Sequence, residues 1–185
     1  MEVTREPSLS HNQSKLQPAR NKQRRGSVIL EFILAFPLIL IISLAIIEFG
    51  FFSLLQQTIT LSAIEGSREA AHVGATTTSV GNLIDQYVSI NSLNLDVGAQ
   101  PAAPGQGDVL VVIETGGGVP TQTIGNSDIP CTPVGPAPSP LEVKVTVCLN
   151  LTDMNGTTPI PDLLSTFGFT LSGKQLEISA MTGLE

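Results

Sequence analysis

Apolar positions crowd into one part of this chain and alternate with polar ones in another, and the two patterns predict different structures. From Phe32 to Ile47 sixteen residues pass without a charge, and the mostly apolar stretch extends from Val28 to Leu55. A hydrocarbon core takes roughly 20 helical residues, so this stretch is long enough to span one. Pro37 lies inside it and leaves the carbonyl of Ile33 without its helical partner, a defect that packed transmembrane helices absorb. Beyond the span, Leu55, Ile59, Ala63, Gly66, Ala70 and Val73 recur every three or four residues, with Gln56, Gln57, Thr60, Ser67 and Arg68 on the other faces. That period predicts a helix continuing past the membrane with one face to be buried. A helix from Ser27 to Val73 would measure about 70 Å at ~1.5 Å per residue, over twice a bilayer core.

A second, short helix is predicted from Val80, Leu83, Ile84, Tyr87 and Val88, with Thr78 or Ser79 as its cap. Four strand-like runs follow: 92–97, 108–114, 141–151 and 174–181. In the third, Leu141, Val143, Val145, Val147, Leu149 and Leu151 fall on one face, and Glu142, Lys144, Thr146, Cys148 and Asn150 on the other. This pattern predicts an antiparallel sheet with one solvated face and one apolar face, covered by the outer half of the long helix. Gly- and Pro-rich connectors, 98–107 and 115–140, separate the strands. The expected class is α+β: a long N-terminal transmembrane helix extending into a small antiparallel β-sheet domain.

Charge then separates the ends. Before Gly26 stand six basic residues (Arg5, Lys15, Arg20, Lys22, Arg24 and Arg25) against Glu2 and Glu6, whereas the remainder carries three basic and fourteen acidic residues. The positive-inside rule places the basic tail in the cytoplasm and everything after about residue 55 outside. With Arg68, Lys144 and Lys174 as its only cations, the acidic remainder would repel phosphate chains, so nucleic acid is a poor partner. The span exceeds the apolar core of a cleavable secretory signal and lacks a clean small-x-small site, which favours a retained anchor. The predicted organisation is a cytoplasmic leader over 1–26, a transmembrane helix over 27–55, an exposed helical region over 56–90 and an extracytoplasmic sheet domain over 91–185.

Candidate chemistry is sparse. Two histidines, His11 and His72, are too few and too far apart for a metal site, and no nucleophile, base and acid form a recognisable set, so no enzyme and no cofactor are expected. Around Asp153, Asn155 and Asp162 the glycine falls at position 4 rather than 6, which fails the calcium-loop register and predicts a turn at Asn155-Gly156. Gly116–Gly118 lacks phosphate-loop spacing. Cys131, in a proline-rich connector, and Cys148, on the polar face of the third strand, are a candidate disulfide outside the cytoplasm, closing a loop of about 18 residues worth roughly 3 kcal/mol.

The residue that asks for a function is Glu31, an acid at the start of a membrane span, where ionisable groups are costly. Glu48, near the far end, is expected to reach water at the interface. The stretch from Gly26 to Phe32, "GSVILEF", resembles the type III signal of type IV pilin-like proteins. With "FPLILIISLAIIEFG" in the span, "SAIEGSREAA" in the following helix and "LEISAMTGLE" at the end, the chain is similar to the TadE-like family of tight-adherence (Flp-type) pilus proteins. Where that family shows Leu-Pro in the span, this chain has Phe-Pro.

The resemblance implies a pilin-like unit cut by a prepilin peptidase between Gly26 and Ser27, which makes Ser27 the new N-terminus and Glu31 the fifth mature residue. It further implies that Glu31, with Phe32 beside it, serves assembly, the carboxylate pairing with the α-amine of a neighbouring subunit. An unpaired charge in an apolar bundle costs several kcal/mol, so such a pair would set the register between subunits. The implied partners are that peptidase, other TadE-like subunits, the major pilin, a membrane platform protein and membrane lipid, at the bacterial cytoplasmic membrane. About 110 residues follow the helix, more than a major pilin of this type carries, which points to a minor pilin or pseudopilin. Two alternatives stand beside it: an uncleaved single-pass anchor presenting a binding module, and a type II secretion pseudopilin, whose usual Phe-Thr-Leu-Ile-Glu start is not seen here.

Overall fold

A computed structural model describes residues 20–90, 95–151, 160–171 and 173–185, with side chains of the first helix placed from Val28 onward. The turn expected at Asn155-Gly156 and the start of the expected 92–97 strand lie outside the described residues. The chain divides into two compact units, Met1–Ile41 and Ile42–Glu185.

Helix α1, Arg20–Ala71, begins in the first unit and continues into the second; it runs through Pro37. Helix α2 spans Thr77–Ile90. The strands are β1 (Val109–Thr115), β2 (Gln122–Gly125), β3 (Glu142–Asn150) and β4 (Gln175–Gly183). They form one antiparallel sheet in the order β2-β1-β3-β4. The protein is thus α+β, a long apolar N-terminal helix followed by a small antiparallel sheet.

In the first unit the side chains of α1 from Val28 to Ile39 are exposed on every face: Ile29, Leu30, Phe32, Ile33 and Leu34 are all more than half exposed. Phe32 and Phe36, one turn apart, bring their rings to a centroid distance of 5.7 Å. A helix apolar all round is one meant for lipid or for a bundle of other helices.

In the second unit the period of α1 finds its purpose. Leu55, Ile59 and Ala63 are fully buried and join Val80, Ile84 and Val88 of α2 in one core. Against them lie alternate residues of the sheet: Val109, Val111 and Ile113 of β1, Val143, Val145, Val147 and Leu149 of β3, and the half-buried Leu176, Ile178 and Ala180 of β4. Helix and sheet meet closely at Gly66, where a Cβ would stand 2.9 Å from Ile84 Cδ1 and 3.5 Å from Val145 Cγ1. Ser67 Oγ hydrogen-bonds Thr182 Oγ1 at 2.7 Å, fixing α1 to β4, and the Glu185 N–H donates to Ala71 O at 3.2 Å, giving a carbonyl at the helix C-terminus a partner. Val73, expected on the buried face, is 89% exposed because α1 has ended at Ala71.

Three expectations need correction. The cap of α2 is Thr76: its Oγ1 accepts the Ser79 N–H at 3.1 Å while Ser79 Oγ accepts the Thr76 N–H at 3.2 Å, a reciprocal capping box that begins the helix before the residues predicted to cap it. Leu95 and Val97 alternate and are buried, yet they stand outside any strand, because their backbone is taken by side chains and turns: the Val97 N–H goes to Asp85 Oδ1 and the Asp96 N–H to Asp108 Oδ2. The fourth strand of the sheet is instead β2, drawn from the Gly/Pro-rich connector. Its Gly125, at φ +98°, passes so close to the Val97 and Val109 carbonyls that no side chain would fit.

The third correction concerns the face expected to be solvated. Every residue of β3 from Val143 to Leu149 is buried, Lys144 (3% exposed), Thr146 and Cys148 included. A second apolar layer explains this: Ile129, Ala102 and Cys131 lie over Leu110, Val112 and Cys148. The proline-rich connector therefore covers the face of the sheet opposite the helices. The sheet is a central layer, and the strand pattern that read as one wet face had a loop for its cover.

Candidate functional site

The residues singled out by their chemistry fall into three places, each built by a different local rule. The first is the start of α1. Gly26 and Ser27 lie within the helix, and Glu31 follows one turn later, exposed among exposed apolar side chains. Among the described residues of its unit, no other element packs on the helix that carries Glu31 and Phe32, a setting suited to contact with lipid or another helix. α1 is long and apolar enough to cross a membrane, consistent with single-pass anchoring.

The second place is Glu48, in the second unit. It was expected to reach water and does not: it is 7% exposed, and its Oε2 accepts the backbone N–H of Leu164 at 3.0 Å. A cavity of about 260 Å³ adjoins it, lined by Ala45, Glu48, Phe49, Phe52, Leu164 and Leu171. The sequence held a signal for this. Glu48 precedes Phe52, Leu55 and Ile59 by 4, 7 and 11 residues and so shares their buried stripe. The segment it holds contains one 3-10 turn, Ser165–Phe167, ended by Gly168 in the left-handed region. Its polar groups serve one another: Thr170 Oγ1 donates to Asp162 Oδ2 at 2.9 Å, and Ser165 Oγ donates to Asp162 O at 2.8 Å.

The third place is the loop-covered face of the sheet. Cys131 and Cys148 form a disulfide with Cα atoms 5.8 Å apart. Glu177, the β4 neighbour of Cys148, brings a carboxylate within 4.8 Å of both sulfurs. With the sulfurs bonded to each other that trio has no thiolate to offer a metal. Beside it, Lys144 Nζ lies 2.6 Å from Glu114 Oε2 and donates to Pro136 O at 3.3 Å. Glu142, at the start of β3, accepts the Ser139 N–H at 2.9 Å, and this bond, helped by the Ser139 side chain, holds its carboxyl below the ordinary value of 4.5. These groups join the cover to the sheet and converge on no shared cleft.

No curated protein and no solved structure matches the chain significantly. A family model does match, and its limits coincide with the first place and the helix beyond it: it begins at Gly26, takes in Glu31, Phe32, Pro37 and Glu48, and ends at Arg68, short of the sheet. Over residues 26–68 the chain is thus similar to the family described as TadE-like protein.

Proposed function

We propose that this protein is a processed minor pilin or pseudopilin-like subunit of a tight-adherence pilus, cut by a prepilin peptidase between Gly26 and Ser27. The observation that carries the reading is the family match that starts at Gly26 and contains an acid at the fifth position after it. Removing residues 1–26 takes away the basic segment that holds the N-terminus on the cytoplasmic side and creates an α-amino cation at Ser27. Glu31 of one subunit then pairs with that cation on another, and the all-round apolar helix supplies lipid anchoring before assembly and bundle packing after it. The other partners are TadE-like subunits, the major pilin and the membrane platform. The domain after the helix lies outside the cytoplasm, where the Cys131–Cys148 disulfide persists.

Two substitutions separate this reading from an uncleaved anchor. In cells that assemble the pilus, Gly26→Ala should leave the leader in place, and Glu31→Ala should be processed normally yet fail to support surface pili. If both variants assemble pili as the wild type does, the chain is a static anchor and the proposal falls.

A further inference from the structure

The segment from Leu164 to Leu171 is fastened to α1 at both ends and exposed between them. Leu164 is held by its N–H on Glu48, Leu164 and Leu171 both line the cavity with Ala45, Phe49 and Phe52, and Leu171 packs on the core. Between these two points Phe167 and Phe169 are 41% and 66% exposed. The turn that presents them bonds three of its own N–H groups: those of Phe167 and Phe169 both donate to Leu164 O, at 2.9 and 3.2 Å, and the Gly168 N–H donates to Ser165 O at 3.0 Å. Asp162 is the one charged residue between Ile160 and Leu171, and its Oδ2 is engaged by Thr170.

An exposed apolar turn whose N–H groups at 167, 168 and 169 are bonded within it suits the boundary of a bilayer, where unsatisfied peptide groups are costly. The stretch of helix to which it is fastened gives the depth. Counted along the sequence from Val28, roughly 20 helical residues cross a hydrocarbon core and bring the chain to Ile47 and Glu48. There the exposed side chains of α1 are Ile46, Ile47, Phe49 and Phe51. The two exposed phenylalanines of the turn thus belong to a segment whose ends, Leu164 and Leu171, lie beside this exposed apolar stretch.

We propose that residues 164–171 are a second membrane contact, an interfacial turn that inserts Phe167 and Phe169 into the outer leaflet beside α1. Glu48 acquires a role in this arrangement: it fixes the turn to the helix at the membrane surface, and the turn in exchange covers a carboxylate that would otherwise meet acyl chains. Lipid is the occupant favoured over a second protein chain because the segment is held against Ala45, Phe49 and Phe52, within the apolar stretch of α1. The inference rests on α1 spanning the membrane, so its test must report on both.

The chain has no tryptophan, so single substitutions give site-specific emission. The full chain would be placed in vesicles of phosphatidylethanolamine and phosphatidylglycerol, with and without lipid brominated on the acyl chains, as four variants: Phe167→Trp, Phe169→Trp, Leu38→Trp in the span and Val134→Trp in the sheet-covering loop. The expected result is blue-shifted emission, quenched by the brominated lipid, at 38, 167 and 169, with position 134 quenched by aqueous iodide alone. Quenching by brominated lipid at 38 but by iodide at 167 and 169 would overturn the interfacial turn and leave the span intact. Loss of brominated-lipid quenching at 38 would overturn both. Protection of 167 and 169 from both quenchers, growing with protein density in the vesicle, would assign the patch to a second copy of the chain and equally overturn the proposal.

Discussion

Lys144 and Glu114 face each other across β3 and β1, Nζ to Oε2 at 2.6 Å, with Lys144 only 3% exposed and Glu114 one-quarter exposed. The approach is an ion pair rather than an aligned hydrogen bond, since Glu114 Oε2 meets no hydrogen-bond geometry. A lysine this deep needs its partner, because a buried charge left alone costs far more than the pair gains. Its other contact, Pro136 O, belongs to the loop that covers it, so the pair also helps hold that loop down.

Glu114→Gln should therefore destabilise the domain by about 3 kcal/mol, as expected when one partner of a buried pair is removed. The double substitution Lys144→Met with Glu114→Leu should recover most of that loss, since it leaves no charge behind. Urea unfolding of the three proteins in detergent measures both. A Glu114→Gln variant as stable as the wild type would show that water reaches Lys144.

The Cys131–Cys148 disulfide ties the same cover to the sheet across 17 positions of sequence. Loop-closure entropy puts the bond at roughly 3 kcal/mol. Reduction, or Cys131→Ser with Cys148→Ser, should lower the urea midpoint accordingly and expose Leu110, Val112 and Lys144 as the connector lifts. Faster cleavage between 127 and 140 by a nonspecific protease, with the rest of the domain resistant, is the expected pattern. Equal protease resistance in both redox states would mean that packing of Ile129 alone holds the cover.

Glu142 sets a pH dependence whose sign follows from its hydrogen bonds. Its folded carboxyl is held below 4.5 by the Ser139 N–H and then by the Ser139 side chain. A depressed acid contributes stability above the unfolded value that is lost as pH falls through the folded one. Glu142 is only partly buried, at the end of β3, so solvent screening keeps the effect small. Relative to Glu142→Gln, the wild type should be the more stable near neutrality, and the gap should close on acidification below 4.5. A gap independent of pH would assign the bond's contribution to geometry rather than charge.

The parts of the fold that the sequence made legible are those where one period governs one face. Leu55, Ile59 and Ala63 announced the buried side of α1, and the alternate residues Val143, Val145, Val147 and Leu149 announced the helix-facing side of β3, because each set shares one core. β2 gave little warning: four residues, with Ile124 its one apolar residue in the core, inside a connector whose glycines read as loop. Leu95 and Val97 alternated as a strand would, but alternation reports only which side is buried, and Asp85 and Asp108 took the backbone bonds a strand neighbour would have taken. The loop cover over Lys144 was invisible because proline-rich segments have no period to read. At the candidate site, Gly26 and Glu31 stood out by spacing from each other and from the apolar run. Glu48 required knowing that its stripe continued into Phe52 and Leu55, where an acid is tolerated only because Leu164 offers it an N–H.

The proposed processing removes the first 26 residues and makes Ser27 the start of the working subunit. Intact-mass and N-terminal peptide analysis of the protein, expressed with and without a prepilin peptidase, tests it most directly. The expected product is a chain starting at Ser27 only when the peptidase is present. A chain that keeps its leader in its own host, beside an active peptidase, would contradict it.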